Sequence, residues 1–156
     1  MIKKRELLLL IFIAIVIFAA FLFTWGKMQL GDASTELANG MMIKAGLIPY
    51  SDFFVHVMPV VSYLAAFIQF AAFPIHLANL LGALNLLLAA FIVYGIGKQL
   101  KLSFLERVLG LVVFFGLYLT TLPSFNHHSL DITLSGAVTL GVLYILRETE
   151  KKKLFF

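Results

Sequence analysis

The chain has 156 residues, of which 62% are apolar and 13% charged, with a net charge of +4 and no cysteine. Soluble domains average about 45–50% apolar and about 25% charged residues, so this composition excludes a water-soluble enzyme, a disordered tail and a disulfide-stapled secreted module. An integral membrane protein is what remains. The absence of cysteine removes thiol chemistry and Cys-based metal sites. All the basic residues but Lys27 and Lys44 fall in three clusters, Lys3 to Arg5, Lys98 to Arg107 and Arg147 to Lys153, each flanking an apolar run. That distribution carries topology rather than a nucleic-acid footprint.

Leu7 to Phe23 is an unbroken apolar run ending at Thr24 and Trp25, long enough for a thin hydrocarbon core at about 1.5 Å per residue. No small-x-small cleavage site follows before Lys27, so the first span, 7–25, reads as an uncleaved signal anchor with Trp25 at the far interface. Further apolar runs cover Val57 to Phe73, Ile75 to Gly97, Val108 to Leu122 and Ile132 to Leu146. If all five cross from a cytoplasmic N-terminus, most of the basic residues lie outside, which inverts the positive-inside rule. If 59–73 does not cross, only Lys27 and Lys44 of the 12 Lys and Arg residues lie outside. The expected fold is therefore an all-α membrane protein with four transmembrane helices, at about 7–25, 76–97, 104–122 and 128–146. An external loop spans 26–58, and a non-crossing apolar helix spans 59–73. A fifth crossing has the same hydropathy and is the alternative. Pro59 can open the non-crossing helix and Pro74 ends it, with Ser62, Tyr63 and Gln69 as its polar points. The last crossing must start near His127 or His128, which places Asp131 inside it close to the outer boundary.

The first external loop holds a second surface element. Leu37, Met41 and Ala45 recur every fourth residue, as in a helix lying on the membrane. Asp32 is its expected N-cap, Gly46 its stop, and Pro49 prevents resumption. A carboxylate at a helix N-terminus is favoured in its charged form, so Asp32 could accept a proton, bind a metal or hold a cationic group; a solvated capping residue is the plain alternative. His127 and His128 are neighbours on a helix and point about 100° apart, which suits an interfacial pair better than joint chelation of one metal. Gly95-Ile96-Gly97-Lys98 lacks the full phosphate-loop spacing, because position 92 is Ile.

Together, Asp32, Glu36, Gly40, the segment Gly46-Leu47-Ile48-Pro49-Tyr50-Ser51-Asp52-Phe53 and the His56-Val57-Met58-Pro59 stretch resemble the first external loop of the polytopic GT-C glycosyltransferases. That group includes the protein O-mannosyltransferases, the aminoarabinose transferases and bacterial relatives acting on cell-envelope sugars. The resemblance implies a single membrane domain over 1–156, the N-terminal module of a multi-pass enzyme of the plasma membrane. Its site would lie on the external face and use a polyprenyl-phosphate-linked sugar donor and an acceptor lipid, glycan or protein. Asp32 takes the role of catalytic base. Asp131, the only acidic residue of the second external loop, is its expected catalytic companion. Relatives often place an Arg shortly before that Asp, where this chain has His127 and His128. Candidate substrate-binding residues are Glu36, Lys44, Tyr50, Asp52, His56, His127 and His128. No cofactor is demanded, a divalent metal is left open, and no nucleic acid is expected. Relatives have many more spans, so the chain is expected to be a fragment or one half of a split enzyme. Alone it would wall only part of a cavity and show little activity without a missing C-terminal half or an oligomer. The competing reading is a small non-enzymatic four-span protein, a transporter or assembly subunit. A proton-coupled transporter needs an ionisable residue deep in a span, and the runs carry none mid-span.

Overall fold

The computed structural model describes residues 4–24, 32–55, 59–118 and 127–153. Within them the chain forms six helices and no sheet: α1 (Lys4–Thr24), α2 (Asp32–Lys44), α3 (Pro59–Ile68), α4 (Pro74–Gln99), α5 (Phe104–Tyr118) and α6 (His127–Lys153). Three of these contain stretches long and apolar enough to cross a membrane, Lys4–Phe23, Pro74–Gln99 and Leu130–Arg147, which marks a helical membrane protein. α5 has 15 described residues, about 22 Å of helix, and the remainder of its expected span, through 122, lies outside the described residues. α3 has 10 residues, or about 15 Å, half the ~30 Å hydrocarbon thickness.

α4 is the hub of the molecule, with α1, α5 and α6 packed against it. Its buried positions are mostly small, including Ala78, Gly82, Ala83, Ala89, Ala90 and Gly97. Small residues let helices approach closely where apolar burial supplies no driving force between them. One core joins Ile13, Ile17 and Phe21 of α1 to Ala83, Ala90 and Tyr94 of α4 and Leu111 of α5. A second joins Leu37 of α2 and Val61, Ala65 and Ile68 of α3 to Ala78, with Leu130 of α6 packed against it. Polar contacts sort the helix ends into two groups. At one end Glu6 of α1 meets Arg107 of α5, and Arg147 of α6 donates to Gln99 of α4. At the other end α2 and α3 gather with the starts of α4 and α6.

The apolar helix expected over 59–73 is shorter, stopping at Ile68. Pro74 is not its terminator; it occupies the first turn of α4, after Phe73 at the cap position, where a missing N–H costs nothing. The chain leaves α3 through a turn in which Phe70 N donates to Phe67 O and Ala71 N to Ile68 O. α2 holds that turn in place. Lys44 Nζ donates to the Gln69 carbonyl and Gln69 Nε2 to the Leu37 carbonyl. The end of α2 follows its sequence signal, with Gly46 at φ +92°, Gly46 N donating to Ile43 O and Leu47 N to Met42 O. These are the two bonds of a Schellman close.

The buried face of α2 is not the one its apolar periodicity marks. Ala33, Glu36, Leu37 and Gly40 face inward, whereas Met41 is exposed. Gly40 explains the shift. A Cβ there would lie 2.5 Å from the carbonyl carbon of Ala65 and 2.7 Å from the backbone N of Ala66. Backbone cannot swing aside as a flexible side chain does, so Gly40→Ala should push α2 off α3 and destabilise the protein by about 1–3 kcal/mol. Thermal unfolding in detergent measures this. Gly110→Ala, where an added Cβ meets nothing within 4 Å, is the control and should melt as the parent does.

Candidate functional site

The N-terminal end of α2 and the start of α6 meet at a carboxylate and an imidazole. His128 Nε2 lies 3.5 Å from Asp32 Oδ2. Both groups stay open to the surroundings, with side chains 67% and 45% exposed respectively, so a bound molecule could reach either. Asp32 is the first residue of its helix, the end at which the helix dipole favours negative charge. A carboxylate held there beside an imidazole can take a proton from a hydroxyl. When protonated, the imidazole is a cation next to the same point.

Glu36 stands one turn after Asp32 and, unlike it, is enclosed. It is fully buried and accepts a hydrogen bond from Ser62 Oγ at 3.0 Å, while Asn39 Nδ2 donates to the same hydroxyl at 3.5 Å. A buried carboxylate is tolerated only where donors satisfy it. In this arrangement it clamps α2 to α3 and so fixes where Asp32 points. The clamp was not foreseen in the sequence. Ser62 stands out there only as a polar point in an apolar helix, and nothing pairs it with a residue 26 positions away.

The remaining candidates are spread along this end of the molecule. Lys44 closes α2, its ammonium 5.2 Å from the Phe70 ring centroid. Twelve residues separate it from Asp32, about 18 Å along a helix, so the two do not address the same atom. Asp52 accepts the backbone N–H of Ile48 at 2.7 Å, and Tyr50 sits beside it at φ +66° with its N–H donated to Phe53 O. Asp52 therefore shapes the tight loop that exposes the Tyr50 ring. His56 lies outside the described residues, as does the side chain of His127. Asp131 comes three residues after His128 on α6 and is exposed. It lines a cleft of about 330 Å³ between α4, α5 and α6, together with Ala89, Phe114 and Ser135. Asp32 thus meets α6 at His128, while Asp131 addresses the neighbouring cleft.

Among the described residues no group of three or more His, Asp or Glu side chains is placed to hold a metal; Asp32 and His128 would offer two ligands. The exposed rings of this end are numerous. Phe54, Tyr63, Phe67, Phe70 and Phe73 are all large aromatic side chains left uncovered, apolar surface of the kind that an interfacial helix buries at the headgroup boundary. Comparison of the chain with protein-family models, curated proteins and solved structures finds no match.

Proposed function

We propose that this chain is a membrane glycosyltransferase module of the GT-C type, acting on a polyprenyl-phosphate-linked sugar at the external face of the plasma membrane. The observation that carries the reading is the placement of Asp32, exposed at the head of α2 and 3.5 Å from His128 of α6, at the end of the bundle rimmed by uncovered aromatic rings. α1, α4, α5 and α6 are the four crossings in this reading. α2 and α3 lie in the outer interface as the 26–58 loop and its apolar continuation.

The chemistry asked of the site is a displacement. An acceptor hydroxyl loses its proton to Asp32 as its oxygen bonds to the anomeric carbon of the sugar. The bond from that carbon to the lipid phosphate oxygen breaks, and the polyprenyl phosphate leaves with the electron pair. His128, beside Asp32, is a group that can offset the leaving charge when it carries a proton. The prenyl chain needs an apolar surface beside the site, which the exposed α3 ring side chains Phe67 and Tyr63 supply.

A donor analogue carrying a photoreactive group on its sugar tests the reading in reconstituted proteoliposomes. Cross-links should concentrate on 32–55 and on the first turn of α6, and unlabelled polyprenyl phosphate should compete them away. Labelling spread evenly over the lipid-facing helices would overturn it. Sidedness is tested separately with single cysteines in the same proteoliposomes. An impermeant thiol reagent should mark a cysteine at 50 and one at 101 from opposite sides. Labelling of both from one side would remove the four-crossing topology.

One observation favours the alternative of an assembly subunit. Only 6% of the apolar window of α6 is buried, so the helix surface beyond its contact with α4 is open to lipid or to partner helices. Retention of full transfer activity after loss of the Asp32 carboxylate would favour that reading over the enzymatic one.

A further inference from the structure

Between α4 and α6 a cleft of about 780 Å³ runs from Thr133 and Leu134 of α6 to Lys98 and Arg147, its mouth at the end of the bundle opposite Asp32. Its volume is within the roughly 300–1,000 Å³ of ordinary small-molecule sites. Its walls are apolar over most of their length, with Leu88, Ile92, Leu140 and Gly141, and its mouth is cationic, with Lys98 and Arg147. Each cation stands toward the C-terminal end of its own helix, where it offsets the dipole, and that accounts for the charges taken singly. It does not account for an apolar cleft running up from between them.

The dimensions and the chemistry together specify an occupant. From Leu88 to Lys98 the α4 wall is ten residues, about 15 Å, and from Thr133 to Arg147 the α6 wall is about 21 Å, enough for an acyl chain that crosses one leaflet of a ~30 Å hydrocarbon core. Arg147 Nη1 donates to Gln99 Oε1 at 3.0 Å, which holds the guanidinium beside the mouth, and a guanidinium has five N–H donors, so one bond to Gln99 does not exhaust it. A ligand that fills this shape has an acyl chain of leaflet length and an anionic phosphate at its head. Basic pockets between transmembrane helices at a membrane surface take such headgroups.

We propose that the α4–α6 cleft binds one anionic phospholipid, with an acyl chain along Leu88, Ile92 and Leu140 and the phosphate between Lys98 and Arg147. The proposal is independent of the transferase reading, since the cations that would hold the phosphate, Lys98 and Arg147, lie at the other end of the helices from Asp32.

The full chain, released from nanodiscs of mixed phosphatidylglycerol and phosphatidylcholine with matched acyl chains, is examined by native mass spectrometry. It should retain phosphatidylglycerol preferentially. Lys98→Gln and Arg147→Gln should each weaken that retention about fivefold, as expected for a surface cation facing an anionic lipid. Both residues are exposed, so their neutralisation leaves no buried partner behind. Gly141→Leu fills the cleft instead. An added Cβ there meets nothing within 4 Å, so the helix is undisturbed while the chain-binding space is lost, and retention of both lipids should fall. Excess inorganic phosphate should leave the lipid in place. Equal retention of the two lipids by the parent chain, unchanged retention in Gly141→Leu, or displacement by inorganic phosphate would each overturn the proposal.

Discussion

Replacing Arg107 by Ala should destabilise the helical bundle by about 3–5 kcal/mol, the cost of leaving a buried charge without its partner. Arg107 Nη1 lies 3.2 Å from Glu6 Oε1, with the two side chains only 10% and 7% exposed. The guanidinium also stacks 4.9 Å from the Tyr94 ring centroid. Its stem fills the space over Gly97, where an added Cβ would lie 2.7 Å from Arg107 Cγ. One side chain therefore ties α1, α4 and α5 together at a single point, and its truncation removes the ion pair, the ring contact and the packing at once. In detergent the apparent melting temperature should fall by roughly 10 °C. Glu6→Leu combined with Arg107→Met removes both charges and keeps apolar volume, so it should recover most of the loss, because a buried pair is costly to break but not costly to replace. If Arg107→Ala melts with the parent, the pair is not what holds these helices.

Asp32→Asn should leave the protein folded and reduce sugar transfer by about 100-fold or more, the scale of a lost general base. The amide keeps the side chain's shape and an acceptor oxygen at the head of α2, a residue type that suits a helix start. What it cannot do is take the acceptor's proton, and it also removes the charge that faces His128 at 3.5 Å. Turnover is measured with a polyprenyl-phosphate sugar donor, in the source membrane, so that any partner the chain uses is present. Melting temperature on the same variant separates a chemical from a structural loss. Asp32→Glu, which restores a base about one methylene displaced, should recover part of the rate. Transfer at the parental rate in Asp32→Asn would sink the assignment of the base.

Much of this molecule is legible in its sequence because its long helices are set by local properties. An apolar run with basic ends must satisfy its own backbone in lipid, so α1, α4 and α6 follow from hydropathy alone, and their observed limits differ from the expected spans mainly at charged or capped ends. The same holds for α2, whose start at Asp32 and close at Gly46 are chain-local signals. Which way α2 faces is another matter. Periodicity selects Leu37, Met41 and Ala45, but the contact with α3 runs through Ala33, Glu36, Leu37 and Gly40, because a close crossing is decided by the residue without a side chain and by a buried carboxylate with a donor across the gap. A pattern of apolar residues carries no information about either. The meeting of Asp32 with His128, 96 positions apart, and of Glu6 with Arg107, 101 apart, likewise exists only in the folded chain. Composition and periodicity determine which segments become helices and which ends carry charge. The register in which those helices pack, and so which ionisable groups face one another, depends on side-chain volumes at the crossings and was settled only by the tertiary structure.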